Sequence, residues 1–186
     1  MFIQTEETPN PETLKFMPGK PVLEAGTLDF PNKETCDASP LATALFTVDG
    51  VEKVFFGKDF ISITKNPSQE WHVIKPEILA IIMEHFVAGK AVLKDPTSAL
   101  PPSTNGEEED DEVVAQIKEL IETHVRPAVA MDGGDITFQS FEDGIVYLQL
   151  KGACAGCPSS TQTLKDGIEN MLKHYVPEVV SVQAIE

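Results

Sequence analysis

The sequence predicts an α+β protein made of two small α+β domains, and three observations carry the prediction. Strand-like and helix-like segments alternate in both halves of the chain. A stretch without apolar periodicity, "DPTSALPPSTNGEEEDDE" (95–112), separates the halves. Beyond it the segments follow the order α-β-β-α-β, in which a β-hairpin carries two helices on one face. The expected organisation is an amino-terminal domain over 1–94, a flexible linker over 95–112 and a carboxy-terminal domain over 113–186. The linker holds three prolines and an acidic run. It has too little apolar surface to form a core, and repulsion between its acids keeps it extended.

In the first domain "LKF" (14–16), "VEKVFFG" (51–57) and "FISITK" (60–65) have strand composition, and "GKD" between the last two is a hairpin turn. Ser39-Pro40 has the form of an N-cap followed by proline at the first helical position, opening a short helix through Phe46. Pro76 is expected to open a second helix. Its apolar stripe is Ile78, Leu79, Ile82 and Phe86, and Gly89 is its stop. No catalytic constellation stands out in this half.

In the second domain Val113, Ile117, Leu120, Ile121 and Val125 recur at helical spacing, and Pro127 is expected to end that helix. "ITFQSF" (136–141) and "IVYLQL" (145–150) are strand-like and joined by "EDG", a hairpin turn. Leu164, Ile168, Met171, Leu172 and Tyr175 mark an amphipathic helix, and "VVSVQAI" (179–185) a last strand.

Composition narrows the function. The 186 residues include 14 basic and 30 acidic side chains, a net charge of -16, which repels phosphate backbones and argues against a nucleic-acid partner. No apolar run approaches a membrane span. Three cysteines build no disulfide framework. The opening "MFIQTEETPN" lacks a secretory core and carries Glu6 and Glu7, whereas Arg126 is the only arginine. A transit peptide is arginine-rich and poor in acids, so the expectation is a prokaryotic cytoplasm, or a mitochondrial matrix if the chain is a processed form.

Chemistry concentrates in "KGACAGCPSS" (151–160), where Cys154 and Cys157 stand as Cys-x-x-Cys between a strand and a helix start. Gly152 and Gly156 permit tight backbone angles, and Pro158 suits a first helical turn. Amides and the positive dipole end favour thiolate at Cys157, the form that binds metal, and stabilise an anionic iron–sulfur cluster. Several readings compete. A thiol–disulfide oxidoreductase uses the same pair, but 74 residues are short for a thioredoxin fold and no βαβ opening is evident. A zinc module normally draws four ligands from two such pairs. Two incidental structural cysteines are the plainest reading, since a lone Cys-x-x-Cys is a weak motif. Cys36, in "NKETCDASP", stands alone in a polar loop and reads as incidental. His72, His85, His124 and His174 share no metal spacing and read as surface or helix-face residues. "DGGD" (132–135) reads as a Gly-Gly turn with capping aspartates rather than a cation site. Trp71 and the phenylalanines read as core. Ser159 and Ser160 have no paired base and explain a helix start.

"MDGGDI" (131–136) followed by "LKGACAGCPSSTQTLKDGIENML" (150–172) resembles the NifU-like domain of Nfu-type iron–sulfur cluster scaffold proteins. "FIQTEETPNPETLKFMPG" (2–19) and "GVEKVFFGKDFISITK" (50–65) resemble the companion amino-terminal domain of the two-domain members. The resemblance implies a non-enzymatic carrier of a [4Fe–4S] cluster with Cys154 and Cys157 as the ligands. It implies apo iron–sulfur recipients and upstream cluster-assembly proteins as partners, with an amino-terminal domain that helps docking. One chain offers two thiolates, so the cluster is expected to bridge a homodimer.

Overall fold

The structure is a computed structural model that describes residues 1–95, 112–155 and 158–185, with backbone alone for 158–161. The expected linker, apart from Asp95 and Glu112, lies outside the described residues, as do Gly156 and Cys157. The chain divides into two compact units, Met1–Ser103 and Thr104–Glu186, and both are α+β.

The first unit is a five-stranded sheet in the order β1-β2-β5-β4-β3, with every pair antiparallel. Its strands are β1 (Gln4–Glu7), β2 (Thr13–Met17), β3 (Leu28–Phe30), β4 (Val51–Phe56) and β5 (Ile61–Lys65). Alternation along β2, β4 and β5 sends Leu14, Phe16, Val54, Phe56, Ile61 and Ile63 to one face, where they share a core with Leu41, Leu45, Ile74, Ile78 and Ile82. That core is closed by α1 (Pro40–Leu45) and α2 (Trp71–Val87). Strand β1 carries no legible signal in sequence because it is a polar, largely exposed edge. Strand β3 is three residues long, too short for a period to show.

Ser39 caps α1 as expected: its Oγ accepts from the Ala42 amide. The expected start of α2 is corrected. The helix opens at Trp71, and Pro76 lies inside it. A proline at the sixth position removes one backbone bond. The first turn is held instead by Ile74 in the core and by the Trp71 indole, which donates to the Pro11 carbonyl at 3.1 Å. Gly89, at φ +62°, follows the last turn in the left-handed region that stops a helix.

Two residues are more deeply buried than their surroundings in sequence suggest. Cys36 is a core residue of a 3-10 turn (Lys33–Ala38) capped by Asn32, and its thiol donates to the Lys33 carbonyl at 2.8 Å. The polar letters around it face outward, which hides the burial in sequence. His85 lies on the buried face of α2, not at the surface. Its Nε2 is buried with no partner among the described residues, and desolvation pushes its pKa below the ordinary value.

The second unit packs its helices on one face of a three-stranded sheet, β6-β7-β8. The strands are β6 (Gly134–Glu142), β7 (Ile145–Gly152) and β8 (Ser181–Ile185). Asp143 and Gly144, at φ 51° and 78°, form the tight turn that joins β6 to β7. Two positive φ values at the central positions are what a type I′ hairpin needs. Strand β8 runs parallel to β7 and is reached through α5 (Pro158–Tyr175). The unit therefore contains a β7-α5-β8 crossover. The expected lack of a βαβ unit is thereby corrected, and it no longer argues against the thioredoxin-type reading.

Pro127 does not end the first helix. Helix α3 (Glu112–Leu120) passes through a wide turn, Ile121–Val125, into α4 (Arg126–Met131). The Arg126 amide donates to the Ile121 carbonyl, five residues back. Pro127 is the second residue of α4, a position where proline's missing amide is tolerated, so the chain continues helically where sequence rules predict a stop. Among the described residues no helix is long and apolar enough to cross a membrane.

Candidate functional site: the Cys154 turn and its glycine seat

Strand β7 ends at Gly152, which pairs with Gly134 at the start of β6. Gly152 takes φ +66° and turns the chain out of the sheet. The Ala155 amide closes that turn onto the Gly152 carbonyl at 3.1 Å. The Ala153 amide donates to the Gly133 carbonyl at 3.2 Å, which ties the cysteine turn to the "DGGD" turn. Each glycine of that second turn has a separate reason. Gly133 sits at φ +80°, where a side chain is strained. Gly134 leaves room for the thiol: a Cβ there would stand 2.7 Å from Cys154 Sγ and 2.7 Å from the Lys151 carbonyl.

Cys154 is 5% exposed and packs among the apolar residues of the second core. Its thiol pKa is pushed up to about 12, first by burial and then by the charges of Asp132 and Asp135. In this conformation Cys154 is a protonated thiol, the reverse of the activated thiolate that a helix start favours. The dipole expectation was attached to Cys157, which lies outside the described residues.

The capping role expected for Asp135 is corrected. Asp135 is 5% exposed and faces Arg126, the chain's only arginine. Arg126 Nε donates to Oδ1 at 2.9 Å and Nη2 to Oδ2 at 3.1 Å. Its Nη1 donates to both carboxylate oxygens of Glu122, at 2.9 and 2.8 Å. Hydrogen bonding to Asp135 raises the guanidinium pKa further. Sequence reading missed this network. The Glu122–Arg126 spacing of four was legible as a helix pair, but the bond to Asp135 crosses from helix to strand.

The His124 ring stacks near Tyr175 and its Nδ1 pairs with the Thr123 hydroxyl. His174 packs edge-on against Tyr175. His72 is exposed on α2 and Cys36 belongs to the other unit. Trp71 is half-buried; Phe16 and Phe56 are fully buried, while Phe2 is exposed. Among the described residues no three His, Cys, Asp or Glu side chains gather as a metal site. The side chains of Ser159 and Ser160 are outside the described residues.

At the far end of α5 a further tie fixes the crossover. Glu169 accepts from the Val182 amide of β8 at 3.0 Å and from Lys173 at 2.7 Å, and these bonds hold its carboxyl below the usual range.

Comparison with known proteins reaches both units. Residues 3–89 match the family described as scaffold protein Nfu/NifU N terminal, and residues 117–183 match the NifU-like domain. A human protein named "NFU1 iron-sulfur cluster scaffold homolog, mitochondrial" is 54% identical over 186 residues, all of this chain and 72% of its own length. "NifU-like protein 4, mitochondrial" of Arabidopsis thaliana is 52% identical over 98% of this chain and 65% of its own. The solution structure of a NifU-like protein from Saccharomyces cerevisiae aligns at 30% identity over 50% of this chain and 85% of its own, with a TM-score of 0.46. The chain thus spans about two thirds of the length of the curated relatives, 65% and 72% for the two named. These names overturn the expected prokaryotic cytoplasm, because the relatives are called mitochondrial. The acidic opening misled because residues 4–7 form strand β1, so their composition reports a sheet edge and not an address. With both domain models matched in chain order and a relative 54% identical along the whole chain, this protein belongs to the Nfu/NifU family of scaffold proteins.

Proposed function

We propose that the protein is an iron–sulfur cluster scaffold and carrier. It holds a [4Fe–4S] cluster through Cys154 and Cys157 of two copies and hands it to apo-proteins, receiving it from upstream assembly proteins. It works without turning over a substrate, and its place is the mitochondrion, as its relatives' names have it. The observation that carries the reading is the pairing of the two family domains in one chain with a thiol at a strand-to-helix junction. The domains fold separately, 1–94 and 113–186, about the linker 95–112.

The ligand count suits a cargo shared by two copies. Each iron of a [4Fe–4S] cluster takes about one thiolate, and two copies related by a two-fold axis supply four. The Cys154 thiol is 5% exposed and lies against Gly134. It reaches a shared cluster when the turn carrying it swings off that glycine, and it gives up its proton on ligation. Loading is therefore favoured by rising pH. A ligand that must leave a packed seat to bind, and can return to it, suits a site made for release.

Anaerobic reconstitution followed by native mass spectrometry tests the reading. The expected product is a dimer with about four irons and four sulfides per two chains. Cys154→Ser and Cys157→Ser each abolish the cluster and the dimer, whereas Cys36→Ser retains both. A cluster-bearing monomer, or a colourless protein that reduces disulfides, overturns it in favour of another arrangement or of the oxidoreductase.

A further inference from the structure

We infer that Arg126 is the positioning residue of the thiol site: clamped on Asp135, it holds the turn over residues 132–135 as the seat of the Cys154 side chain. This rests on the reading of Cys154 as a ligand.

Arg126 is the first residue of α4, directly after the wide turn at Ile121–Val125. One added residue rotates everything after it by about 100° relative to a continuous helix. In the register that results, one guanidinium meets Glu122 on its own helix and Asp135 on β6 together. All three of its nitrogens are engaged, and two of them form a parallel fork on Asp135. Such a fork fixes orientation as well as distance, which an ammonium cannot do.

Asp135 is the fixed point of the seat. Its Oδ1 also accepts from the Ile136 amide at 2.8 Å, so the carboxylate, the strand start and the guanidinium form one body. A carboxylate at 5% exposure is tolerated only while paired. The residue before it is Gly134, whose α-carbon hydrogens face Cys154 Sγ with no room for a methyl group. The residue before that offers its carbonyl to the Ala153 amide. Moving Asp135 toward water therefore moves the surface on which the Cys154 thiol rests. Arg126 touches neither thiol nor cargo. It acts through Asp135 and the two glycines.

The test reads the thiol of the apo protein, without iron. In the full chain, the rate of Cys154 alkylation by iodoacetamide at fixed pH is followed by tandem mass spectrometry, beside a thermal melt of each variant. Arg126→Met is expected to speed alkylation by about tenfold as the turn opens to hydrate Asp135. Arg126→Lys keeps the charge without the fork and is expected to lie between Arg126→Met and the parent. Glu169→Gln, which loosens α5 from β8 in the same unit, is the control. It lowers the melting temperature and leaves the alkylation rate unchanged.

An unchanged rate in Arg126→Met overturns the inference. So does an equal rise in Glu169→Gln, since the pair would then stabilise the unit and nothing more. If Arg126→Met does not fold, Asp135→Asn decides. It is expected to speed alkylation by about threefold, and a parental rate refutes the seat. Because no metal is involved, a Cys154 that binds no cluster would defeat the proposed function while leaving this result standing.

Discussion

Gly134 shows how much one absent methyl group decides. Its neighbours are a sulfur and a backbone carbonyl, each 2.7 Å from where a Cβ would sit, and the carbonyl belongs to a strand that cannot yield. Gly134→Ala is expected to cost about 1–3 kcal/mol in denaturant unfolding of the second unit and to lower iron uptake on reconstitution. Two buried titratable residues give opposite pH responses. For Cys154 the folded pKa is raised from 9.0 to about 12, so its contribution to stability is complete below 9.0 and is lost as pH rises above it. For His85 the folded pKa is lowered, so its contribution is complete above the unfolded histidine value of about 6.5 and is lost as pH falls through the folded one. Melting curves against pH check both. The first unit is expected to weaken on mild acidification and to lose that response in His85→Leu.

At the scale of elements, stability rests on how ends are tied. Ser39 is fully buried between a helix and a segment distant in sequence: its Oγ accepts from the Ala42 amide at 3.1 Å and donates to the Val92 carbonyl at 2.5 Å. Ser39→Ala is expected to cost about 1–2 kcal/mol, because it removes an N-cap and leaves a carbonyl without its donor. Gly144 is held in the same manner at the other sheet. Its carbonyl accepts from the Val180 amide at 2.7 Å, which docks the start of β8 against the β6-β7 hairpin. The wide turn before Pro127 belongs to this scale too. It introduces a register shift that aims Arg126 at β6.

At the scale of the whole chain, two separate cores imply two unfolding events. Each unit has its own contiguous cluster of buried apolar residues, one around Phe16, Ile63 and Ile78 and one around Ile117, Val146 and Leu172. Calorimetry of the full chain is expected to show two transitions. Only the second should move upward on iron loading, because a ligand stabilises the unit that binds it. A shift of both together would mean that the cluster couples the units. Limited proteolysis is expected to cut first between residues 95 and 112.

The sequence by itself determined the fold class, the division into halves and the segments whose periodicity is strong. Alternation in "FISITK", the Ser39-Pro40 cap and the Asp143-Gly144 turn are local facts, and local sterics write them directly into residue order. The Cys-x-x-Cys motif and its resemblance to a scaffold family were equally legible, since they depend on order and spacing alone. Tertiary structure decided the rest. It placed β8 parallel to β7, carried helices through Pro76 and Pro127, and buried Cys36 and His85 behind polar neighbours. It also joined Arg126 to Asp135 and set Cys154 on Gly134. The physical reason is common to all of these. A proline's cost, a thiol's ionisation and a carboxylate's partner depend on groups distant along the chain or on the opposite side of a core, and no local pattern records which group will arrive there.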